Sequence, residues 1–403
     1  MMKRMDMLGR LATDNGKKMV LLVLDGVGGL PGPEGKTELE AAVTPNFDAL
    51  ATKSELGFLD MVDVGITPGS GPGHLSLFGY DPMEYAIGRG ILEAMGVGAH
   101  VGPGDVCARG NFCTVTEDFT VVDRRAGRIA TEKSALLVQT LSEAIKDIDG
   151  VQVRFSPGKE HRFVAVFSGD GLSEDVADAD PQQDGRVMRW ATPTSPKGKK
   201  MAEVANAFIR QVAEVLKGES PANGCLLRGF SSAPDIPHMS DLYKIKPVAV
   251  ATYPMYKGLS KLVGMEVVEA GETLEQLFES LKRLWAQHDF FYLHVKYTDS
   301  RGEDGDFAEK TRVIEVVDGL LPRLLDLAPD VLAVTGDHST PSVMSGHSWH
   351  PVPYLLASPF VRYGDSKRFT ERECRVGAGY RMAGSKLIGL MLAHARRLEK
   401  FGA

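Results

Sequence analysis

The chain has 403 residues, 43% of them hydrophobic and 25% charged, the composition of a folded globular protein with enough apolar material for more than one domain. A formal net charge of −7 argues against nonspecific affinity for nucleic acid, and no apolar run reaches the length of a membrane span. The four cysteines (Cys107, Cys113, Cys225 and Cys374) show no C-x-x-C spacing, which argues against a zinc knuckle or disulfide scaffold and fits reduced, buried thiols.

The first eighteen residues are mixed polar and basic without a signal-peptide core, so the expectation is a cytoplasmic protein with a short frayed start. MVLLVLD (19–25) follows as an apolar strand that stops at Asp25. TPNFDALA (44–51) reads as a helix with Thr44 as cap and Pro45 in its first turn. TPGSGPGHLSLFGYDP (67–82) places four glycines and three prolines around Ser70. That density fits an ordinary surface loop, or backbone that passes very close to another group.

The middle of the chain has a different texture. After GILEAMGVGAHVGPGD (90–105), FCTVTEDFTVVDRRAGRI and VQVRFSPGKEHRFVAVFSG alternate apolar and polar residues like half-exposed antiparallel strands. Helical patterns lie near 131–148 and 200–217. The pattern predicts an α+β domain over 104–236, inserted into a domain made of 1–103 and 237–403. The acidic run GLSEDVADADPQQDG (171–185) reads as a charged loop, with acids that on their own would be called solvated and no catalytic role assigned.

Beyond the insertion, TLEQLFESLKRLWAQH (273–288) opens on a Thr-x-x-Gln capping box. DFFYLHVKYTD (289–299) and DVLAVTGDH (330–338) read as strands ending in Asp299 and in Asp337–His338. The helical EKTRVIEVVDGLLPRLLDL (309–327) joins them, which predicts a βαβ unit. PVPYLLASP (351–359) is a fourth strand, and GSKLIGLMLAHARRLEK (384–400) a closing helix. Strands this apolar are covered on both faces, so the fold class expected is α/β with a mainly parallel sheet flanked by helices.

Parallel neighbours would bring Asp25, Asp299 and Asp337 to one sheet edge, where α/β proteins bind ligands. His338 follows Asp337, His347 lies nine residues further on, and Glu303 lies four residues after Asp299. Paired carboxylates at 4 Å repel by about 4 kcal/mol at an effective dielectric near 20, so four acids and two imidazoles call for cations. Two divalent ions with oxygen and nitrogen ligands satisfy the set, and a serine hydroxyl beside them becomes a nucleophile near neutral pH. Ser70 is the candidate.

LDGVGG (24–29), TPGSGPGHLSLFGYDP (67–82), GRGILEAMGVG (88–98), ARGNFCTV (108–115), DRRAGRI (123–129), HVKYTDSRGEDGD (294–306) and TGDHSTPSVMSGHSWHPVP (335–353) carry a resemblance. In this order they resemble the archaeal type of cofactor-independent phosphoglycerate mutase, in the alkaline phosphatase superfamily, over essentially the whole chain. The resemblance implies an alkaline-phosphatase-like sheet and interconversion of 2- and 3-phosphoglycerate through a phosphoserine at Ser70. It implies no 2,3-bisphosphoglycerate and two divalent ions, Mn²⁺ ahead of Mg²⁺ or Zn²⁺. Asp25, Ser70, Asp337 and His338 would hold one ion, and Asp299, His347 and position 303 the other. The family motif TDxxGHDG has histidine where this chain has Glu303, a change that favours harder ions over zinc, with Asp304 or Asp306 as substitutes.

The partner expected is a small phosphorylated substrate, with no nucleic acid and no membrane. Arg109, Asn111, Arg124, Arg125, Arg128 and Arg228 of the insertion are the expected substrate-binding groups, because guanidinium forks match carboxylate and phosphate. The resemblance adds a lysine in YPMYKGLSKLVGM, Lys257 ahead of Lys261, and implies that the run 171–185 helps shape the insertion. His74 is expected to face substrate because it shares the Ser70 segment, and His294 and His350 to be structural or surface residues. Two other readings share the same residues. One is a phosphatase or phosphodiesterase that uses water in place of glycerate, and the other a metabolite-binding protein with a degenerate site at Glu303.

Overall fold

The computed structural model describes residues 4–85 and 87–402. Contacts divide the chain into two compact units, Met1–Ala86 with Ile236–Ala403, and Ile87–Asp235. The insertion therefore begins ahead of residue 104. Helix Arg89–Gly96 buries Ile91 and Ala94 against Cys107, Val164 and Val166 of the inserted sheet, which ties the segment before 104 to that unit.

The first unit is built on eight strands: β1 (Met19–Leu24), β2 (Glu55–Asp60), β3 (Pro247–Val250), β4 (Glu266–Val267), β5 (Phe290–Val295), β6 (Val331–Thr335), β7 (Val352–Ala357) and β8 (Arg381–Ala383). Their order across the sheet is β4-β3-β5-β1-β6-β7-β2-β8. The run from β4 to β6 is parallel, whereas β7 is antiparallel to both β6 and β2. Every residue of β1, β5 and β6 is buried, as strands covered on both faces require. Helix Phe307–Leu325 connects β5 to β6, and Thr273 caps helix Leu274–Leu284 ahead of β5 through a reciprocal bond with Gln276.

Two ends of the chain differ from the sequence reading. Residues Arg4–Leu11 form a helix that buries Met5 and Leu8, in place of a frayed start. The closing helix spans only Leu387–His394, because Arg396 takes a left-handed φ of 54° and turns the chain so that Leu398 bridges Ala12.

The inserted unit is an antiparallel sheet centred on strand Val106–Val115, which pairs with Arg162–Ser168 on one side and Gly224–Ser232 on the other. Side chains alternate between two faces. Phe163, Ala165 and Phe167 pack with Leu137, Leu141 and Phe208 from helices Thr131–Ala144 and Lys199–Val215. Val164 and Val166 turn the other way, to helix Arg89–Gly96. Among the described residues no helix is long and apolar enough to cross a membrane.

Candidate active site

Strand β1 pairs with β5 through Leu24 and Val295, and with β6 through Val23 and Thr335, so the three strands end at one level. Asp25 follows β1 directly. Asp299 lies in helix Tyr297–Glu303 just past β5, and Asp337 and His338 follow β6. All four side chains are buried. Nε2 of His338 lies 3.2 Å from Oδ1 of Asp25 and 3.2 Å from Oδ2 of Asp337, while its Nδ1 lies 3.8 Å from Oδ1 of Asp299.

Ser70 is the first residue of helix Ser70–Leu77, and its Oγ lies 3.4 Å from His338 Nε2. The glycine-rich segment is thus a helix start rather than a loop. Pro72 is tolerated because its missing amide falls in the first turn. A Cβ on Gly73 would stand 2.2 Å from the carbonyl oxygen of Asp337, so glycine alone lets this helix reach the end of β6. Gly26, with φ of +64°, is constrained likewise: a Cβ there would meet Thr340 Oγ1 at 2.4 Å and Asp299 Oδ1 at 2.8 Å.

Two donor groups can each hold an ion, Asp25–Asp337–His338 and Asp299–His338–His347. Oδ1 of Asp25 and Oδ2 of Asp337 are buried, face imidazole nitrogens and have no well-aligned hydrogen bond, a pair of oxygens suited to ligate a cation. His347 stacks on His338 with ring centroids 3.6 Å apart, and its Nδ1 donates to the carbonyl of Pro68 at 3.0 Å, which leaves Nε2 free as a ligand. The acids carry the charge such a centre needs. Burial opposes ionisation of Asp25, but the hydrogen bond from His294 and the adjacent His338 imidazole hold its carboxyl well below the usual range. Burial likewise opposes the His338 charge, yet Asp337, Asp25 and Asp299 raise its pKa to about 9.

Glu303 stands outside both groups. Its side chain is 55% exposed and reaches only His347 Nε2, at 3.8 Å. Asp304 and Asp306 do not replace it, since Asp304 pairs with Arg301 at 3.0 Å and Asp306 caps helix Phe307–Leu325. His74 has no exposed surface. Its Nδ1 lies 2.9 Å from the Ser70 carbonyl and 3.1 Å from Oδ2 of Asp337, which makes it a positioning group where a substrate contact was expected. Lys257 is held at 3.0 Å by the exposed Glu269 carboxylate, and Lys261 is exposed. His350 bonds Ser348 Oγ, at 3.1 Å, from the structural role expected.

The sequence reading missed Lys296 and Tyr256. Nζ of Lys296 lies 2.5 Å from Asp299 Oδ2, 3.3 Å from Asp25 Oδ2 and 3.3 Å from the Tyr256 hydroxyl. Burial works against its charge, but the carboxylates of Asp25 and Asp299 outweigh it and hold its pKa above the ordinary lysine range. Burial, then Asp25 and Asp337, push Tyr256 far up, so its hydroxyl stays protonated beside Asp25 and Ser70. The signal for Lys296 was its place in HVKYTD, three residues before Asp299 and on the same first turn.

In the inserted unit, a cavity of about 200 Å³ is lined by Arg109, Asn111, Arg124, Arg125, Arg128 and Arg228, joined by Glu160, His161 and Arg162. The strand register explains the convergence: Arg109 sits opposite Arg228, and Asn111 opposite Arg162. The buried Asp180 takes a bidentate pair from Arg124, at 2.8 and 2.7 Å, and lies 3.3 Å from Arg228 Nε. It belongs to the acidic run read as a charged loop. Burial opposes its charge, but Arg124 and the Gln182 amide keep its carboxyl below the usual range. Burial and Arg162 push His161 down to about 4, so its imidazole is neutral. Arg109 Nε, Asn111 Oδ1 and His161 Nδ1 are buried without hydrogen-bond partners. A cavity with this excess of guanidinium and unpaired polar atoms is suited to a small anion.

A mainly parallel α/β sheet gathers buried acids, imidazoles and one serine at its carboxyl edge, the place where α/β enzymes bind ligands, in groups that could hold a metal ion. The family model for 2,3-bisphosphoglycerate-independent phosphoglycerate mutase matches residues 51–223. Probable mutases of that description from Thermosipho africanus and Thermotoga maritima are each 54% identical over 403 residues, covering all of both chains. A solved structure from Pyrococcus horikoshii superposes with a TM-score of 0.81 at 31% identity, over 96% of this chain and 99% of that one. The cofactor-independent phosphoglycerate mutase of Thermoplasma acidophilum gives 0.74 at 29% identity, over 94% and 100%. The chain belongs to the family of 2,3-bisphosphoglycerate-independent phosphoglycerate mutases.

Proposed function

We propose that this chain interconverts 2- and 3-phosphoglycerate, in the cytoplasmic reactions of glycolysis and gluconeogenesis, by storing the phosphoryl group on Ser70. The observation that carries this reading is the approach of Ser70 Oγ to 3.4 Å from His338 Nε2, where the two three-residue donor groups share their imidazole. Two divalent ions, Mn²⁺ foremost, would be held one by Asp25, Ser70, Asp337 and His338 through its Nε2, and the other by Asp299, His347 and Glu303. When bound they neutralise phosphoryl oxygens and favour the serine alkoxide.

The chain's own groups do the rest. Ser70 Oγ bonds to phosphorus as the ester bond to glycerate breaks, and the serine proton ends on the released hydroxyl. Glycerate re-orients, its other hydroxyl attacks the phosphoserine, and Ser70 recovers a proton. The uncapped start of helix Ser70–Leu77 favours the anionic group. The Lys296 ammonium supplies a fixed positive charge beside Asp25 and Asp299. We assign the substrate's anionic groups to the arginine cavity, with Arg109, Asn111, Arg124, Arg125, Arg128 and Arg228 as contacts and Arg162 and His161 added.

The test uses purified chain with Mn²⁺ and 3-phosphoglycerate, free of bisphosphoglycerate. The expected result is 2-phosphoglycerate without free phosphate, and a phosphoserine at Ser70 by mass spectrometry. Ser70→Ala should keep both ions and lose turnover by about 10³-fold or more. Phosphate release in place of isomerisation would make the chain a phosphatase, and substantial turnover by Ser70→Ala would exclude serine as the carrier.

A further inference from the structure

Lys310 is a fully buried lysine in helix Phe307–Leu325, and the reaction gives it no task. A buried ammonium is costly unless each of its hydrogens is bonded. Here Nζ lies 2.9 Å from the carbonyl of Gly26, 2.8 Å from that of Thr340 and 3.3 Å from that of Gly28. Carbonyls only accept, so the three contacts can take up all the hydrogens that Nζ carries. The counter-charge is the buried Glu38 carboxylate at 3.9 Å, which is itself anchored by the amide and hydroxyl of Ser342 at 2.8 and 2.6 Å.

The three carbonyls belong to the two segments that carry the acids. Gly26 follows Asp25, and Thr340 stands two residues after His338. The Thr340 hydroxyl extends the network, donating to Asp299 Oδ1 at 2.6 Å while lying 2.9 Å from His338 Nδ1. Through Lys310 and Thr340, the residues after β1, after β5 and after β6 are joined at one point behind the donor groups.

We propose that Lys310 and Thr340 form a positioning brace that fixes Asp25, Asp299 and His338 at the separation two ions need, so that metal affinity is set by residues that touch no metal. The proposal rests on the metal reading given above. Outer-sphere partners of this kind are worth roughly ten- to a hundredfold in metal affinity.

The experiment is Mn²⁺ titration calorimetry on the full chain, with far-UV circular dichroism to verify folding. Lys310→Met should keep the fold, weaken Mn²⁺ binding by about ten- to a hundredfold, and recover turnover as Mn²⁺ is raised. Thr340→Val should weaken binding in the same direction, and Thr340→Ser, which restores the hydroxyl, should return it toward the parent. Should Lys310→Met fail to fold, the Thr340 pair decides alone. Mn²⁺ affinity within twofold of the parent in folded Lys310→Met, or in Thr340→Val, overturns the brace. A parent chain that binds no Mn²⁺ overturns the metal reading and the brace with it.

Discussion

Nε2 of His294 lies 3.0 Å from Oδ2 of Asp25, and neither side chain is exposed. Burial lowers the His294 pKa further than Asp25 raises it, so the ring is a neutral donor that fixes one oxygen of Asp25 while the other faces His338. A histidine that sequence alone leaves as structural or surface is thus a neighbour of the metal-type centre. His294→Leu is expected to weaken Mn²⁺ binding about tenfold with turnover largely restored at saturating Mn²⁺, as read by titration calorimetry.

Asp180 holds two of the cavity's arginines from a fully buried position. Asp180→Ala takes from Arg124 its bidentate partner and leaves Arg228 only Asp178, at 3.6 Å, and breaking a buried pair costs about 3 kcal/mol. The expected outcome is a lowered denaturant midpoint together with a KM raised about tenfold, because the guanidiniums lose the geometry that matches a substrate anion. Unfolding curves and steady-state kinetics on the same preparation check both parts.

Glu303 offers His347 a second hard oxygen donor, at 3.8 Å, beside Asp299 at 3.6 Å. Glu303→His exchanges an oxygen for a nitrogen donor and should move preference from Mn²⁺ toward Zn²⁺ by about tenfold without loss of fold. Competition for the two ions, followed by elemental analysis, reads the shift. An unchanged ratio means position 303 is no ligand.

Glu371 accepts bonds from the Gly29 amide at 3.0 Å and the Thr37 hydroxyl at 2.6 Å, in the groove behind the Gly26–Gly29 segment. Burial outweighs those bonds and raises its carboxyl to about 7. A carboxyl whose folded pKa lies above its unfolded value keeps its proton longer in the native state. Stability from this group is therefore greatest at acid pH, declines from about pH 4.5 to about 7, and is level above that. Glu371→Gln mimics the protonated acid, so it should remove that decline, about 3 kcal/mol, between about pH 4.5 and 7. Denaturant midpoints of parent and variant across that range provide the measurement.

The strand-end residues were legible because each has a local mark. Asp25, Asp299 and Asp337 stop apolar runs that only a doubly covered parallel sheet explains, and the structure buries all three at one edge. The segment around Ser70 was read for its glycines and prolines, whose shared preference for loops hides a helix that starts on the serine itself. Tyr256, Asp180 and Lys310 carried no mark at all. Each sits in a stretch whose periodicity fits an ordinary helix or loop, and its importance comes from groups dozens to hundreds of residues away. Lys257 and Tyr256 show how little adjacent positions share. Proximity in sequence to the right segment put Lys257 forward, while the fold turned it to Glu269 and its neighbour Tyr256 inward.

Because β1 lies between β5 and β6, the first acid of the centre has no companions until nearly the last quarter of the polypeptide exists. During synthesis the inserted unit, which closes on itself within Ile87–Asp235, can mature while Asp25 still waits. A ribosome-bound fragment that ends before Val331 should thus display a finished arginine cavity and no grip on manganese. Ion capture in this protein would then report the completion of a newborn molecule.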